Sequence, residues 1–456
     1  MSFAGDRGGR RRRVPTRRGL CYGALRFASP RRAMSLRLLA TLDRRRLIAQ
    51  VSDRGGLDAH LSSGSQSVYA GFDPTAPSLQ VGNLVPLLML RRFQFAGHRP
   101  VAVLGGATGA IGDPSGRTEE RTLNDAATID AWVQAIGRQV ARFVDTEGEH
   151  GGLIVNNLEW TRDLDVIAFL RDVGKHFSVN AMIQRDFVRS RLDREGSGIS
   201  YTEFSYVLLQ AHDFLQLARR HDCRVQIGGV DQWGNIVSGI DLVRRVLRKP
   251  AYALSMPLVT KSDGTKFGKS AGGAVWLDAA LTSPFAFYQF WLNAADADVL
   301  DYLRVFTLLG LEEISAAATT VAERPGERYA QRLLAREVTR LVHGDAGVVA
   351  AQRITEAVFD GDVRALGQDD LVQLEQDGMD ATHLAPGTGL LAALTAAGLA
   401  KSNAAARRLV DANGVRLNGE SVTDTALSLD ASGALFGRYH VVQRGRKSWH
   451  LIVLEG

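Results

Sequence analysis

The stretch YAGFDPTAPSLQVGN, residues 69–83, passes from an apolar strand to the start of a helix within fifteen residues. Ser67–Phe72 has the composition of a short strand, and the apolar residues of Leu84–Phe95 follow helical spacing. Pro100–Leu104 is a wholly apolar second strand that ends in Gly105-Gly106. Alternation of this kind predicts an α/β protein built on a parallel sheet.

Two segments carry signs of chemistry. The chain turns through Asp73-Pro-Thr75 into a glycine-containing helix start, and in open α/β sheets ligands bind at the carboxyl ends of strands, where helix N-termini attract phosphate. The second segment, residues 266–270 (KFGKS), resembles a P-loop, but the spacing from Gly264 to Gly268 is one residue too short. Residues 105–109 (GGATG) likewise miss the dinucleotide-binding pattern, so the sequence argues against both a P-loop ATPase and a dehydrogenase.

The rest of the chain changes character twice. Arg224–Gly229 is another strand running into glycine, a helix follows around 235–247, and the Gly-, Lys- and Ser-rich loop 261–273 is predicted to be a hinge. From Pro284 to about Leu384 the pattern is helical, with an aromatic stripe typical of a core, Phe285, Tyr288, Phe290 and Trp291. Residues 386–456 predict two short helices, a turn at 415–419 and a final strand at 448–453. We therefore expect a catalytic domain at 34–258, a loop and linker at 259–283, a helical domain at 284–384 and a small module at 385–456.

Composition limits the class of protein. A chain of 456 residues with 45% hydrophobic and 23% charged residues is a globular protein of two to four domains. Its apolar runs fall short of the ~18 residues that span a bilayer, so a soluble protein with no membrane partner is expected. Two cysteines, Cys21 and Cys223, provide neither a disulfide framework nor a cysteine-zinc site, which fits a reducing compartment.

The positive net charge of +6 comes entirely from the N-terminal end of the chain. Residues 1–33 carry ten arginines and one aspartate, which leaves −3 for the chain from Met34 onward. An Arg-rich, acid-poor leader is compatible with a mitochondrial transit peptide. The alternative, favoured by the use of 48 arginines against seven lysines, is translated upstream sequence of a GC-rich genome, with Met34 as the true start.

Taken together, the motifs resemble the two signature elements of class I aminoacyl-tRNA synthetases, HIGH at 80–83 (QVGN) and KMSKS at 266–270. The resemblance is closest to bacterial-type tyrosyl-tRNA synthetases and runs from about Leu36 to the end of the chain. It rests on the segments GFDPT (71–75), GGATG (105–109), IGDPSG (111–116), GKHFSVN (174–180), YTEFSY (201–206) and QIGGVDQWGN (226–235). It implies a Rossmann-like catalytic domain, then an α-helical domain, then a small α+β RNA-binding module.

The resemblance also implies roles for individual residues. The tyrosine pocket would consist of Tyr69, Asp113, Tyr206, Gln210, Asp213 and Gln232. The ATP-binding set would be Asp73, Gly82, Gly229, Asp231, Lys269 and Ser270. Phosphate contacts that stabilise the transition state would come from Thr75, Gln80, Asn83, Arg117, Arg121, Lys266 and Lys269. Mg²⁺ would accompany ATP, without a dedicated protein site.

Several positions depart from the family pattern. Gln80 and Asn83 replace the two histidines of the HIGH element, Val230 stands where a small polar residue is common, and Arg117 where lysine is common. An amide can replace one imidazole nitrogen as a neutral hydrogen-bond donor. We therefore expect activity to be retained.

The C-terminal module carries a basic cluster within a body of net negative charge, which favours RNA phosphate contact. Its members are Lys401, Arg407, Arg408, Arg416, Arg444, Arg446 and Lys447. The resemblance implies that the helical region and this module grip tRNA(Tyr) across a homodimer, in the cytoplasm, or in mitochondria if residues 1–33 are a transit peptide.

The predicted function is a tyrosine–tRNA ligase that uses L-tyrosine, ATP and tRNA(Tyr). Two alternatives stay open. The altered Gln80 and Asn83 would suit a non-charging paralogue that binds tRNA or structured RNA, although Tyr69, Asp213 and the lysine loop oppose it. A tyrosine-adenylating enzyme of secondary metabolism would keep the same activation chemistry.

Overall fold

The computed structural model describes residues 38–115, 124–185, 188–189, 192–193, 198–262, 267–270, 273–360, 362–445 and 448–455. The basic extension 1–33 lies outside the described residues. So do five of the predicted site residues, Arg117, Arg121, Lys266, Arg446 and Lys447.

A mostly parallel sheet organises the first region. Its strands are Gln50–Val51 (β1), Ser67–Phe72 (β2), Arg99–Leu104 (β3), Leu153–Asn156 (β4), Val225–Gly229 (β5) and Tyr252–Met256 (β6). The helices around it are Leu38–Arg44 (α1), Arg54–Ser62 (α2), Leu84–Phe95 (α3), Thr108–Ile111 (α4), Ala126–Val140 (α5), Leu158–Thr161 (α6), Val166–Asp172 (α7), Val179–Ile183 (α8), Tyr201–His221 (α9) and Trp233–Leu247 (α10). The predicted strands at 67–72, 100–104 and 224–229 and the helix at 84–95 are confirmed.

The strand order is β1-β6-β5-β2-β3-β4, and every neighbouring pair is parallel except β1 with β6. The order reverses between β2 and β5, which opens a crevice at the carboxyl ends of these two strands. Alternation along β2 sends Val68 and Ala70 into the core beneath α3, whereas Tyr69 points to the opposite face, beneath α9. The topology therefore places the turn after β2 and the side chain of Tyr69 beside one crevice.

A second region is helical and packs on the same core. Its helices are Pro284–Leu292 (α11), Asp296–Phe306 (α12), Leu311–Glu323 (α13), Tyr329–Asp360 (α14) and Gln368–Gln373 (α15). Ser283 caps α11 by accepting from the backbone of Ala286, and Trp291 is fully buried. At Gly344 α14 is broken by a backbone with φ +73°, and Arg142 from the first region donates to the carbonyl of Val342 at 3.0 Å, just before the break. The predicted aromatic core is confirmed.

The helical pattern ends earlier than the predicted residue 384. Ala381–Leu384 is a strand (β9) that pairs in parallel with the last strand of the chain. The prediction was wrong at this boundary because four residues are too few for a periodic signal, and the partner strand is far away in sequence.

The C-terminal module is a five-stranded sheet of order β12-β11-β14-β15-β9, with a separate two-stranded ribbon and two helices. Its remaining strands are Thr388–Gly389 (β10), Val415–Leu417 (β11), Glu420–Ser421 (β12), Ser428–Leu429 (β13), Tyr439–Arg444 (β14) and Ser448–Leu454 (β15). The strands β7 (Lys269–Ser270) and β8 (Gly273–Ala274) lie earlier, in the loop before the helical region. The helices are Leu390–Ala396 (α16) and Asn403–Asp411 (α17). The predicted turn at 415–419 is shorter in the structure. Val415–Leu417 form the strand β11, and the chain then reverses at Asn418 (φ +50°) and Gly419 (φ +87°) to pair with β12.

The module packs on the helical region through a shared apolar cluster that joins Phe285 and Ile354 to Tyr439 and Leu451. Among the described residues, no helix is both long and apolar enough to cross a membrane.

Candidate active site

The turn after β2 closes tightly against the segment after β3. A Cβ atom on Gly105 would lie 2.0 Å from Oδ1 of Asp73, so only glycine fits there. The Asp73 carboxylate accepts hydrogen bonds from Thr108 Oγ1 and from Tyr206 Oη, both at 2.6 Å. The GGATG and GFDPT segments therefore pack against each other, and Tyr206 of α9 is joined to them by its hydrogen bond to Asp73.

Three buried polar atoms, on β2, α9 and β5, are unsatisfied. Among the described residues, Tyr69 Oη, Gln210 Oε1 and Gln226 Oε1 have no hydrogen-bond partner. Gln226 lies beside Tyr69 in the β2–β5 register. Buried polar groups are normally paired, so orphaned atoms on neighbouring strands and helix mark a place prepared for a polar ligand.

Asp213 is the charged centre of this pocket. Its two carboxylate oxygens accept from Trp160 Nε1 at 2.7 Å and from Asn157 Nδ2 at 2.9 Å. Burial raises the pKa of Asp213 to about 7, against the opposing effect of these two donors. Burial and the nearby charge of Asp213 together raise the pKa of Tyr69 well above its usual value. A neutral hydroxyl beside a buried carboxyl can bind a phenol, whose oxygen both donates and accepts.

Asn157 connects this pocket to the Asp73 turn. Its Nδ2 also donates to Thr108 Oγ1 at 3.0 Å, and its Oδ1 accepts from the backbone of Ala107 at 2.7 Å. The hydrogen bonds thus run without interruption from Asp213 through Asn157 and Thr108 to Asp73.

Four residues of the pocket were missed from the sequence, namely Thr108, Asn157, Trp160 and Gln226. One usable signal existed for Asn157, because it follows β4 directly and polar residues after parallel strands meet at the ligand-binding edge. Trp160, a turn later, offered no such signal.

Asp113 forms the other wall of the crevice. Its carboxylate accepts from Gln232 Nε2 at 2.6 Å and from the backbone of Ser115 at 2.9 Å. Partial desolvation and the charge of Asp113 raise the pKa of Asp231. Gly229 ends β5 just before these residues, and a Cβ there would lie 2.3 Å from Asp231 Oδ1. The structure therefore brings together Asp113 and Gln232, predicted for the tyrosine pocket, with Gly229 and Asp231, predicted for ATP binding.

The helix start that the sequence predicts to bind phosphate is a 3₁₀ turn, Val81–Asn83, that leads into α3. The backbone N–H of Gln80 donates to Asn83 Oδ1 at 2.9 Å, which leaves the amide nitrogen of Asn83 as the end that can donate to a ligand. Gly82 is exposed with open space around it, and Thr75 is exposed as well.

The lysine loop lies directly on this helix start. The N–H of Val81 donates to the carbonyl of Val275 at 3.0 Å, and Val275 N–H donates to the carbonyl of Gly268 at 3.0 Å. Within the predicted hinge loop 261–273, the described residues Lys269–Ser270 (β7) pair with Gly273–Ala274 (β8). Nothing is described of the side chains of Lys269 and Ser270.

In the C-terminal module, the five described basic residues of the predicted cluster are all exposed, and no ion pair is described for any of them. They are Lys401, Arg407, Arg408, Arg416 and Arg444. Arg407 donates to Thr425 Oγ1 at 3.2 Å and Arg444 to the carbonyl of Leu399 at 2.6 Å.

The sequence matches known proteins over most of the chain. Residues 62–360 match the family of class I tRNA synthetases for tryptophan and tyrosine, and residues 370–452 match the C-terminal domain of tyrosine–tRNA ligases. The tyrosine–tRNA ligase of Aliivibrio fischeri is 53% identical over 91% of this chain and 98% of the relative. That of Pectobacterium carotovorum is 52% identical over 92% of this chain and 99% of the relative.

Solved structures agree. The C-terminally truncated mitochondrial tyrosyl-tRNA synthetase of Aspergillus nidulans superposes with a TM-score of 0.64 at 31% identity, over 70% of this chain and 93% of that structure. The Coccidioides posadasii counterpart gives a TM-score of 0.62 at 33% identity, over 70% and 91%. The chain therefore belongs to the class I tRNA synthetases for tryptophan and tyrosine, in their tyrosine–tRNA ligase branch.

Proposed function

We propose that this chain activates L-tyrosine with ATP to tyrosyl-adenylate, releases pyrophosphate and transfers the tyrosyl group to tRNA(Tyr). The observation that carries the proposal is the orphaned, buried Tyr69 Oη beside the carboxyl of Asp213. A phenol would satisfy both groups, whereas the phenyl ring of phenylalanine would leave them buried and unpaired. Family membership supports the same conclusion.

The other end of the amino acid would lie toward Asp73 and Asp113. We assign the tyrosine ammonium to Asp113, Tyr206 and Gln210, and its carboxylate to the neighbourhood of Gln232. Burial and the nearby charges of Asp73 and Asp113 raise the pKa of Tyr206, and two carboxylates near one hydroxyl favour a cation there.

ATP would occupy the crevice mouth, with its ribose and adenine near Asp73, Gly229 and Asp231 and its phosphates on the Gln80–Asn83 helix start. Thr75 would contact the γ-phosphate together with Gln80, and the cations Arg117, Arg121, Lys266 and Lys269 would neutralise the departing pyrophosphate. The tyrosine carboxylate attacks the α-phosphorus, so no side chain has to act as nucleophile, and the protein contributes positioning and electrostatic stabilisation. A terminal ribose hydroxyl of the tRNA then attacks the adenylate carbonyl, and AMP leaves.

Mg²⁺ belongs to this scheme as part of the MgATP substrate. Among the described residues, no group of three or more histidine, cysteine or carboxylate side chains could hold a metal. No proposed step therefore relies on a protein-bound ion.

We also propose a homodimer. Six exposed apolar side chains lie on α7, α8 and the start of α9, with Ile167 71% and Tyr201 72% exposed. The three helices pack together around Met182 and Phe204, so their exposed residues border one apolar surface. Such a surface on a cytoplasmic enzyme is best covered by a second copy of the chain.

The first prediction tests substrate choice. Tyr69→Phe removes one of the two polar groups offered to the phenol, so discrimination of tyrosine over phenylalanine should fall by about 1–3 kcal/mol. The measurement is ATP–pyrophosphate exchange with each amino acid, and Tyr288→Phe, a buried tyrosine of the helical region, is the matched control. Equal exchange of both amino acids by the unmodified protein would reject the proposed function.

The second prediction tests the helix start. Gln80→Ala should slow single-turnover adenylate formation by about 2–4 kcal/mol, as the loss of transition-state hydrogen bonds does, with little change in tyrosine affinity. Gln80→His should equal or exceed the parent, and Gln134→Ala on the exposed face of α5 should have no effect. A parental rate in Gln80→Ala would mean that this amide does not contribute.

The third prediction tests tRNA contact by the module. Because Leu384 lies within β9, cutting the chain there would leave an unpaired strand, and point changes are the cleaner test. Arg407→Ala combined with Arg408→Ala should weaken tRNA binding and reduce the slope of log K against log salt by about 1–2, with pyrophosphate exchange unchanged. Arg44→Ala with Arg54→Ala removes two exposed charges elsewhere and should leave tRNA charging intact. An unchanged salt slope in the Arg407/Arg408 variant would mean that neither residue contacts a tRNA phosphate.

The fourth prediction tests the homodimer. Ile167→Asp should convert a dimer into monomers in analytical ultracentrifugation, because a charge cannot be buried unpaired in an apolar interface. Val349→Asp, at a position 56% exposed on α14, should leave the mass unchanged. A monomeric parent protein at micromolar concentration would contradict the proposal.

A further inference from the structure

Phe267 is the only large apolar residue between Ser262 and Gly273. Its ring stacks on Phe306 at a centroid distance of 4.9 Å and meets Tyr302 at 5.2 Å, both on α12. It also contacts Phe290 and Trp291 of α11 at 5.7 and 5.8 Å. Phe267 thus holds the described part of this loop against the helical region, where the N–H of Ser262 also donates to the carboxylate of Asp298 on α12 at 3.0 Å.

The residue after this ring touches the phosphate-binding helix start. Gly268 has φ +86°, and a Cβ there would lie 3.1 Å from Val81 Cγ2. Its carbonyl accepts from Val275, whose own carbonyl accepts from Val81. The position of Phe267 therefore fixes how the loop backbone lies over Gln80 and Asn83.

The helix that follows this start, α3, is tied at its last turn to the other side of the aromatic cluster. Arg92, on α3, donates to the carbonyls of Val305 at 2.9 Å and Thr307 at 2.8 Å, at the C-terminal end of α12. Arg45 adds a bond to the carbonyl of Arg304 at 3.0 Å. Cations at a helix C-terminus interact favourably with its dipole, and here they hold α12, with Tyr302 and Phe306, in place relative to α3.

These contacts form a closed circuit. Arg92 joins α3 to α12, α12 packs on Phe267, and Gly268, the next residue, contacts Val81 at the start of α3. We propose that Phe267 is a positioning residue for tyrosine activation, which sets the loop backbone that follows it, Gly268–Ser270, at its working distance from the Gln80–Asn83 helix start. The proposal rests on the proposed function. It adds a role for a residue packed in the aromatic cluster, which acts through the backbone of Gly268.

The test compares Phe267→Ala with Phe267→Leu in single-turnover adenylate formation. Phe267→Ala should slow the reaction by roughly 10- to 100-fold, because a misplacement of about 1 Å has effects of that size. Tyrosine affinity, measured by equilibrium dialysis on the same samples, should stay within about twofold, because the tyrosine pocket lies on the other face of the sheet. Phe267→Leu, which keeps an apolar anchor, should recover most of the rate.

Phe95→Ala is the matched control, since Phe95 is a half-buried phenylalanine of α3 outside the loop contacts. It should not slow activation. Limited tryptic cleavage in the 261–269 segment is the second measurement, and it should accelerate in Phe267→Ala but not in Phe95→Ala. An unchanged rate in Phe267→Ala, or tyrosine affinity that falls in parallel with the rate, would overturn the positioning role, as would unchanged cleavage. Absence of tyrosine-dependent exchange in the parent would instead reject the proposed function, and the cleavage comparison would still decide whether Phe267 anchors the loop.

Discussion

A carboxyl group buried at the base of the crevice is the constraint around which the site is built. Asp213 is buried, so its charge is stabilised mainly by two donors, Asn157 Nδ2 and Trp160 Nε1. Burial outweighs these two donors and raises the pKa of Asp213 to about 7, well above that of an ordinary aspartate. The segment after β4, which carries both donors, must therefore meet the middle of α9 with the accuracy that hydrogen bonds of 2.7 and 2.9 Å require. The parallel sheet delivers that accuracy because it brings the carboxyl ends of its strands to one edge.

The second half of the site is assembled from segments almost two hundred residues apart. The Gln80–Asn83 turn and the described part of the loop after Ser262 contact each other. A backbone bond from Val81 to Val275 joins them, and the aromatic ring of Phe267 packs the loop against the helical region. The helical region thus supports the loop next to the helix start.

The sequence predicted those parts whose signal is local. The strand β2, the helix α3 and the glycines at 105–106 were found because period, composition and turn chemistry are confined to a few residues. The hydrogen bonds of Asp213 were not, since its donors lie 53 and 56 residues away and nothing nearby announces the pairing. The same reason explains the error at Ala381–Leu384. Family resemblance supplied most of the predicted site residues. The structure added the hydrogen-bond donors that hold their carboxylates, Asn157 and Trp160 for Asp213 and Thr108 for Asp73.

The parallel pairing of β9 with β15 also has a consequence for biosynthesis. Ala381 pairs with Leu451, which is made 70 residues later (451 minus 381). At roughly 5–20 residues per second, β9 leaves the ribosome on the order of 4–14 s before its partner exists. Throughout that interval Phe285 and Ile354 also lack the cover that Leu451 provides. The nascent chain therefore presents an open strand edge beside an apolar surface, a combination that chaperones recognise and that makes slow translation of this module a risk for aggregation.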